Sequence, residues 1–506
     1  MSVFHHYGEA IVLLADPQVL LTIFLSAVYG LFVGAIPGLT ATMATALLIP
    51  LTFFMPPLPA LAAIVTMEAM AIFAGDIPAA LVRIPGTPSS AAYTYESYAC
   101  TLKGQAEKVL GVGVTHSAIG GAMGAVILLT CAPMLAEVAI RFTSFEYFWL
   151  AALGLSTAAI VSRGSPVKGA ISLIIGLFCS TIGVDISLGY PRFTFDNVEL
   201  LNGVSFIPAM IGLFGASEVL RNVLGGQMEL SIATSVKAGK IFHGITGVIR
   251  RYKVNIIRSG LLGTLIGSLP GAGADIAAWV SYALSKKCSK EPHKFGTGHI
   301  EGIVDASTSN NAALGGAWVP ALVFGIPGDS ITAIVIGVLY MKGMRPGPMI
   351  FERTPEILYA VYLTFLLANI VLLPLGWLAI KLSSKVLRVP RNILMPAILV
   401  FCIVGSFAIN NSVFDVKIML LMGLLGYFME SNGFPVAPVV LGIVLGPLLE
   451  DKFMASMIKV QWDLTQFFSR PISLILGVIT LIVWFMPLLT SLFQRLFMVS
   501  RKRSSS

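Results

Sequence analysis

The chain has 506 residues, of which 56% are hydrophobic and only 11% charged, and its mean hydropathy of +0.87 is far above what a soluble globular surface tolerates. It reads as a polytopic membrane protein with the lipid bilayer as its solvent. The formal charge of +8 does not mark a nucleic-acid binder, because Lys and Arg cluster in short segments between apolar runs, where they act as orientation signals.

In chain order, the N-terminus "MSVFHHYGEAIVLLADPQ" carries no Lys or Arg and so lacks the basic region of a cleavable signal peptide; the first span is expected to be retained. Apolar runs near the roughly 20 residues that cross a bilayer as helix follow at 19–36, 109–136, 145–161, 204–220, 356–380, 394–409, 435–449 and 472–494. Alternating strands of the outer-membrane barrel kind are absent, so the expected fold is an all-α polytopic membrane protein. Five scattered cysteines, without metal or redox spacing, read as packing residues, and the six histidines form no metal-ligand pattern. The Gly-rich stretches match neither the dinucleotide nor the P-loop pattern, and no cofactor is expected.

An internal repeat is legible. Gly30, Gly34, Pro37, Gly38 and Ala41 recur 233 residues later as Gly263, Gly267, Pro270, Gly271 and Ala274. "DIPAALVRIPGTPS" (76–89) matches "AWVPALVFGIPGDSI" (317–331) at an offset of 242, pairing Ile84-Pro85-Gly86 with Ile326-Pro327-Gly328. A third match, 162–183 with 410–433, lies at an offset near 250. The chain therefore divides into an N-terminal segment 1–21, repeat 1 at 22–222, a basic cytoplasmic linker 223–251, repeat 2 at 252–450, and a final transmembrane helix with a basic tail at 451–506. Residues 1–18 carry no Lys or Arg, whereas 221–258 carry Arg221, Lys237, Lys240, Arg250, Arg251, Lys253 and Arg258. By the positive-inside rule these equivalent flanks face opposite sides, so the repeats are expected to be inverted, with the C-terminus cytoplasmic. Inverted repeats are the architecture of many secondary transporters.

The segment Val254–Lys286 is apolar, flanked on both sides by basic residues and broken at Pro270-Gly271-Ala272-Gly273. Arms of about a dozen residues are too short to span, so a re-entrant hairpin is expected here, and its partner at Pro37-Gly38. Proline removes a donor and glycine permits a tight turn, so such tips leave N–H and C=O groups free; the first suit a carboxylate and the second suit sodium. The candidate solute-binding residues are Pro37, Gly38, Thr40, Thr42, Arg83, Gly86, Thr87, Ser89, Gly271, Gly273, Asn310, Asn311, Gly328 and Ser330. Asp275, Asp329, Ser309 and Thr308 are the candidates for coupling to sodium, the only metal ion expected. Glu68, Asp76 and Asp305 are further acids in apolar surroundings, where ionisable groups are rare. Arg83 reads either as a clamp on a solute carboxylate or as an ion-pair partner of Glu68 or Asp76.

The stretches "GLFVGAIPGLTATMATALLIPLTF" (30–53), "IPGTPSS" (84–90), "GSLPGAGADIAAWVSYALSKK" (267–287), "FGTGHIEGIVDASTSNNAALGGAWVPALVFGIPGDS" (295–330) and "GYFMESNGFPVAPVVLGIVLGPLLE" (426–450) resemble the large membrane subunit of tripartite tricarboxylate transporters. The resemblance covers nearly the whole chain. It implies a bacterial inner-membrane carrier, not an enzyme, that works with a small membrane subunit and a periplasmic solute-binding protein to import di- or tricarboxylates on an ion gradient. A homodimer is compatible with it. Where that family often has an Asp-Gly-Tyr run, residues 95–105 read "YESYACTLKGQ", a departure that bears on the solute.

Two other classes compete with a carrier. An intramembrane aspartyl protease would use Asp275 and Asp329 as a dyad, but neither lies in a GxGD run: the sequences are "GAGAD" and "GIPGD". An ion channel needs a symmetric pore ring, which one chain with two related halves does not obviously supply.

Overall fold

A computed structural model describes residues 3–161, 165–185, 189–224, 239, 241–387 and 391–485. They form an almost wholly helical chain in two compact units, one of residues 1–140 with 205–432 and one of 141–204 with 433–506. Each unit draws on both sequence halves.

In the first unit, α1 (Val3–Leu14), α2 (Pro17–Gly34), α3 (Ala41–Phe53), α4 (Pro57–Ala74), α5 (Asp76–Val82), α6 (Thr94–Leu102) and α7 (Ala106–Ala139) come from the first half. The second unit begins with α8 (Ser144–Val161) and α9 (Pro166–Ser180). The chain then returns to the first unit with α10 (Phe206–Met210), α11 (Ser217–Leu224), α12 (Ile245–Arg251), α13 (Lys253–Gly267), α14 (Gly273–Cys288), α15 (Ile300–Phe324) and α16 (Ser330–Met341). It continues through α17 (Ile350–Arg353), α18 (Pro355–Val386), α19 (Arg391–Asn410) and α20 (Val413–Ser431), before α21 (Ala437–Lys459) and Pro471–Phe485 complete the second unit.

Among the described residues, six helical stretches are long and apolar enough to cross a membrane: Pro17–Gly34, Pro57–Val82, Ala106–Ala139, Phe206–Leu224, Pro355–Ser383 and Ile393–Asn410. Five overlap the expected runs. The sixth, Pro57–Val82, is wholly buried and was not among them, because Glu68 and Asp76 interrupt its apolar run. The expected arms of a dozen residues around Pro270-Gly271 are longer, 15 residues in α13 and 16 in α14. α2 is itself of spanning length, so arm length does not force re-entry at the first break.

Helix starts are set by local chemistry. Asp16 caps α2 by accepting from Gln18 N at 2.7 Å, with Pro17 in the first turn, where its missing N–H costs nothing. Thr40 caps α3 by accepting from Met43 N at 3.1 Å. Packing follows the glycines. A methyl on Gly30, Gly34, Gly263 or Gly267 would stand 3.0, 2.8, 2.8 and 2.8 Å from the Cα atoms of Met67, Ala71, Ser309 and Ala313, and closer still to their carbonyl oxygens. So α2 lies backbone-to-backbone on α4, and α13 on α15, through small residues as membrane helices do. The glycines are related by the offset of 233 and their partners by 242. In the second unit, Gly176 of α9 meets Val439 of α21 in the same way, and Arg192 holds Glu450 through two bonds of 2.6 and 3.0 Å.

Candidate functional site

The first break, residues 35–40, joins α2 to α3, and the second, residues 268–272, joins α13 to α14. Gly38 and Gly271 have φ of 93° and 79°, a region where a β-carbon is strained, so glycine is needed at both turns. Each break lies beside the Ile-Pro-Gly loop of its own half. Gly86 N–H donates to Gly75 O at 3.1 Å, and a methyl on Gly86 would lie 2.6 Å from Gly75 Cα and 2.8 Å from Gly34 O. A methyl on Gly328 would lie 2.7 Å from both Ala317 Cα and Gly267 O, and Gly271 N–H donates to Gly328 O at 2.8 Å. Each loop therefore rests on the last turn of the helix that leads into its break. α14 also packs against the turn Ser90–Ala92, and α16 against α3, which brings each half's loop to the other half's broken helix.

The two loops start and finish alike. Arg83 (φ 60°) and Gly325 (φ 69°) end α5 and α15 in the left-handed conformation, donating back to Pro78 O and Pro320 O. Thr87 N donates to Ser90 Oγ and Ser90 N to Thr87 Oγ1, both at 3.2 Å. At the positions 242 residues on, Asp329 N donates to Thr332 Oγ1 at 2.9 Å and Thr332 N to Asp329 Oδ1 at 2.8 Å, a reciprocal capping box on α16.

The candidate residues divide by accessibility. Arg83 is exposed, and Gly38, Thr40, Thr42, Gly271, Asp275, Asp329 and Ser330 are partly exposed. Pro37, Gly86, Thr87, Ser89, Gly273, Thr308, Ser309, Asn310, Asn311 and Gly328 are buried. Several of the buried hydroxyls and amides are engaged within the protein: Thr87 with Ser89 at 3.0 Å, Thr308 with Val304 O at 2.7 Å, Ser309 with Ala277 O at 3.0 Å, and Asn311 Nδ2 with Ala69 O at 3.3 Å. They shape the frame, and the partly exposed set lies at its accessible edge. Asp275 lies in the first turn of α14, where an acid suits the helix dipole, and a methyl on Gly273 would stand 2.8 Å from Asp329 Cβ. Arg83 forms no ion pair among the described residues: its guanidinium lies 4.9 Å from the Tyr95 ring centroid, and the expected alternative with Glu68 or Asp76 is not formed.

Three features escaped the sequence reading. Trp318 donates to Glu68 Oε2 at 3.2 Å; Tyr93 donates to Asp76 Oδ1 at 2.5 Å. Glu96, fully buried, accepts from Tyr282 Oη and from the amides of Gly296, Gly298 and His299 ahead of α15. These partners lie 17 to 250 residues apart, beyond any local pattern. Asp305 is buried too, held by Arg258 at 3.0 Å, Asn255 at 2.7 Å and Ser259. Among the described residues no three His, Cys, Asp or Glu side chains converge as a metal site.

Long apolar helices, with breaks at Pro37-Gly38 and Pro270-Gly271, define an almost wholly helical multi-pass membrane protein. The chain belongs to the Tripartite tricarboxylate transporter TctA family, which it matches over residues 20–441. It is thus a tricarboxylate transporter subunit and not an enzyme, and the aspartyl-protease alternative falls. Similar proteins include one from Agrobacterium vitis described as an uncharacterized 52.8 kDa protein in the TAR-I ttuC' 3' region, 33% identical over 477 residues and covering 94% of each chain. An uncharacterized protein of the TAR-II ttuC' 3' region, also from Agrobacterium vitis, is 36% identical over 238 residues, which are 46% of this chain and 98% of that one. No solved structure matches.

Proposed function

We propose that this chain is the solute-carrying subunit of an importer of small di- or tricarboxylates in the bacterial inner membrane, operating by alternating access with sodium as coupling ion. It receives solute from a periplasmic binding protein and works beside a small membrane subunit. The observation that carries this reading is the matched pair of breaks, each beside its own Ile-Pro-Gly loop and lined at the accessible edge by Gly38, Thr40 and Thr42 on one side and Gly271, Asp275, Asp329 and Ser330 on the other. The positive dipole ends of the helix starts suit the carboxylates of the solute, while Asp275 and Asp329 supply negative charge for a cation. Arg83, without an acid partner, is available to a solute carboxylate.

The halves are inverted repeats on this reading, and the two breaks are re-entrant tips facing opposite sides. Positions related by an offset of 242 touch one another, Asn311 with Ala69, which is what two copies related by a two-fold axis do at that axis. Uptake into vesicles containing both membrane subunits, supplied with the binding protein, tests the function: carboxylate should accumulate when a sodium gradient is imposed and equilibrate when it is collapsed. Accumulation indifferent to sodium would remove the coupling assignment. Single cysteines tested for labelling test the topology, with Thr40 expected to react from the periplasm and Ala272 from the cytoplasm. Labelling of both from one side would end the inverted arrangement.

A further inference from the structure

Two acids in the core take no part in the tips described above. Glu68 on α4 and Asp76 at the start of α5 are 0% and 4% exposed, and among the described residues neither forms an ion pair. In each carboxyl one oxygen accepts from a neutral aromatic donor, Trp318 Nε1 at 3.2 Å for Glu68 and Tyr93 Oη at 2.5 Å for Asp76. The other oxygen, Glu68 Oε1 or Asp76 Oδ2, is buried without a partner. Asn311, whose amide bonds the carbonyl of the residue after Glu68, likewise has an unpartnered Oδ1 in this region.

The surroundings offer no compensating positive charge. The groups that face the two acids are Asp329 at the head of α16 and Trp318 of α15 for Glu68, and Tyr93 for Asp76, with Asn310 beyond the tyrosine. α7 presents Gly113, where a methyl would lie 3.3 Å from Asp76 Oδ2. His116, one turn further along α7, bonds Val112 O through Nδ1 at 2.8 Å. Removing a bare carboxylate from water costs several kcal/mol unless a cation or a proton neutralises it. One oxygen of each acid is already taken by a donor, and a proton on the other oxygen neutralises the group without further ligands. A proton needs no cage.

The repeat gives the pair its meaning. At an offset of 242, Glu68 corresponds to Asn310 and Asp76 to Trp318. Glu68 meets Trp318 directly, and the equivalent positions with the halves exchanged, Asp76 and Asn310, both lie beside Tyr93. The second half fills these places with neutral groups, so the packing does not require charge; the acids of the first half add the capacity to bind a proton.

We propose that Glu68 and Asp76 are a proton-binding pair at the crossing of α4 and α15, and that protons move with the solute through them. The coupling half of this proposal rests on the carrier reading. Difference infrared spectroscopy on the purified chain decides the proton half without transport: the carbonyl stretch of a protonated carboxyl should be present at neutral pH, diminish in Glu68→Gln and in Asp76→Asn, and vanish in the double variant. Gly113→Ala, which presses on Asp76 Oδ2, should shift the Asp76 component and serves if a substitution at the acids prevents folding. In vesicles with equal sodium on both sides, an outward-acidic pH gradient should raise parent uptake at least tenfold and leave uptake by the double variant unchanged. No protonated-carboxyl band in the parent, or an unaltered band in the double variant, overturns the site. A band that behaves as expected in vesicles that carry no carboxylate under any gradient overturns the coupling and the carrier reading while the site stands.

Discussion

Glu96→Gln tests what holds the frame of the site together. The buried Glu96 carboxylate receives four donors: Tyr282 Oη at 2.8 Å, Gly298 N at 2.7 Å, His299 N at 2.8 Å and Gly296 N. It fastens α6 to the turn that feeds α15, and Lys103 Nζ adds a bond to Thr297 O at 2.6 Å. Glutamine has a single acceptor oxygen, and its amide nitrogen would confront N–H groups, so at least two of the four bonds are lost. Hydrogen bonds to a charged group contribute about 1.5–3 kcal/mol each, which puts the local loss for two of them at about 3–6 kcal/mol. The readout is trypsin cleavage after Lys294, whose side chain is 47% exposed, in detergent-purified protein, together with the thermal midpoint from tryptophan fluorescence. At about 1.4 kcal/mol per tenfold, cleavage through local opening should quicken by about 100-fold or more when opening is fast relative to cutting, and the midpoint should fall. Unchanged cleavage and midpoint would refute the claim that this carboxylate pins the turn.

Asp329→Asn and Asp329→Thr should keep the cap on α16, whereas Asp329→Ala should lose about 1 kcal/mol of stability in thermal melts; all three should weaken sodium dependence of uptake, and an unaltered sodium response would withdraw Asp329 from coupling. Gly86→Ala and Gly328→Ala each push a methyl to within 2.8 Å of backbone at two points, so each should cost about 1–3 kcal/mol, by a similar amount in both halves. A neutral melt for either variant would contradict the packing described. Gly38→Val and Gly271→Val should fold, since a side chain at positive φ costs about 1–2 kcal/mol, yet should abolish uptake by closing the turn to a carboxylate. Monodisperse variants that transport at the parent rate would sink the assignment of the tips.

What the sequence made legible was punctuation. Pro37-Gly38, Pro270-Gly271 and the two Ile-Pro-Gly runs are local signals, since proline and glycine act on their own backbone, and the structure interrupts its helices at each of them. The helix Pro57–Val82 was hidden for the opposite reason: two acids inside it look like a loop until Trp318 and Tyr93 arrive from elsewhere to receive them. Glu96 passed unnoticed within "YESYACTLKGQ", because the amides it binds come from some 200 residues later. Arg83 was read as an ionic residue; its left-handed backbone could be suspected only from its repeat partner Gly325, and its stacking on Tyr95 depends on how the loop closes.

The matched loops give a physical reason to look for ion chemistry where the two halves differ. Thr87 with Ser90, and Asp329 with Thr332, make the same reciprocal amide-to-side-chain bonds at corresponding positions. A neutral threonine therefore suffices for this turn, and the negative charge of Asp329 is surplus to its cap. Partly buried charge without a structural task is unfavourable near a bilayer core, which supports the proposed role of Asp329 in holding a cation. The same comparison isolates Arg83, since Gly325 closes the equivalent loop without any side chain and with no φ strain. Surplus negative charge beside the second loop and surplus positive charge beside the first are what a site for a cation and a carboxylate requires. The duplicated frame supplies the geometry, and the departures from duplication supply the charge.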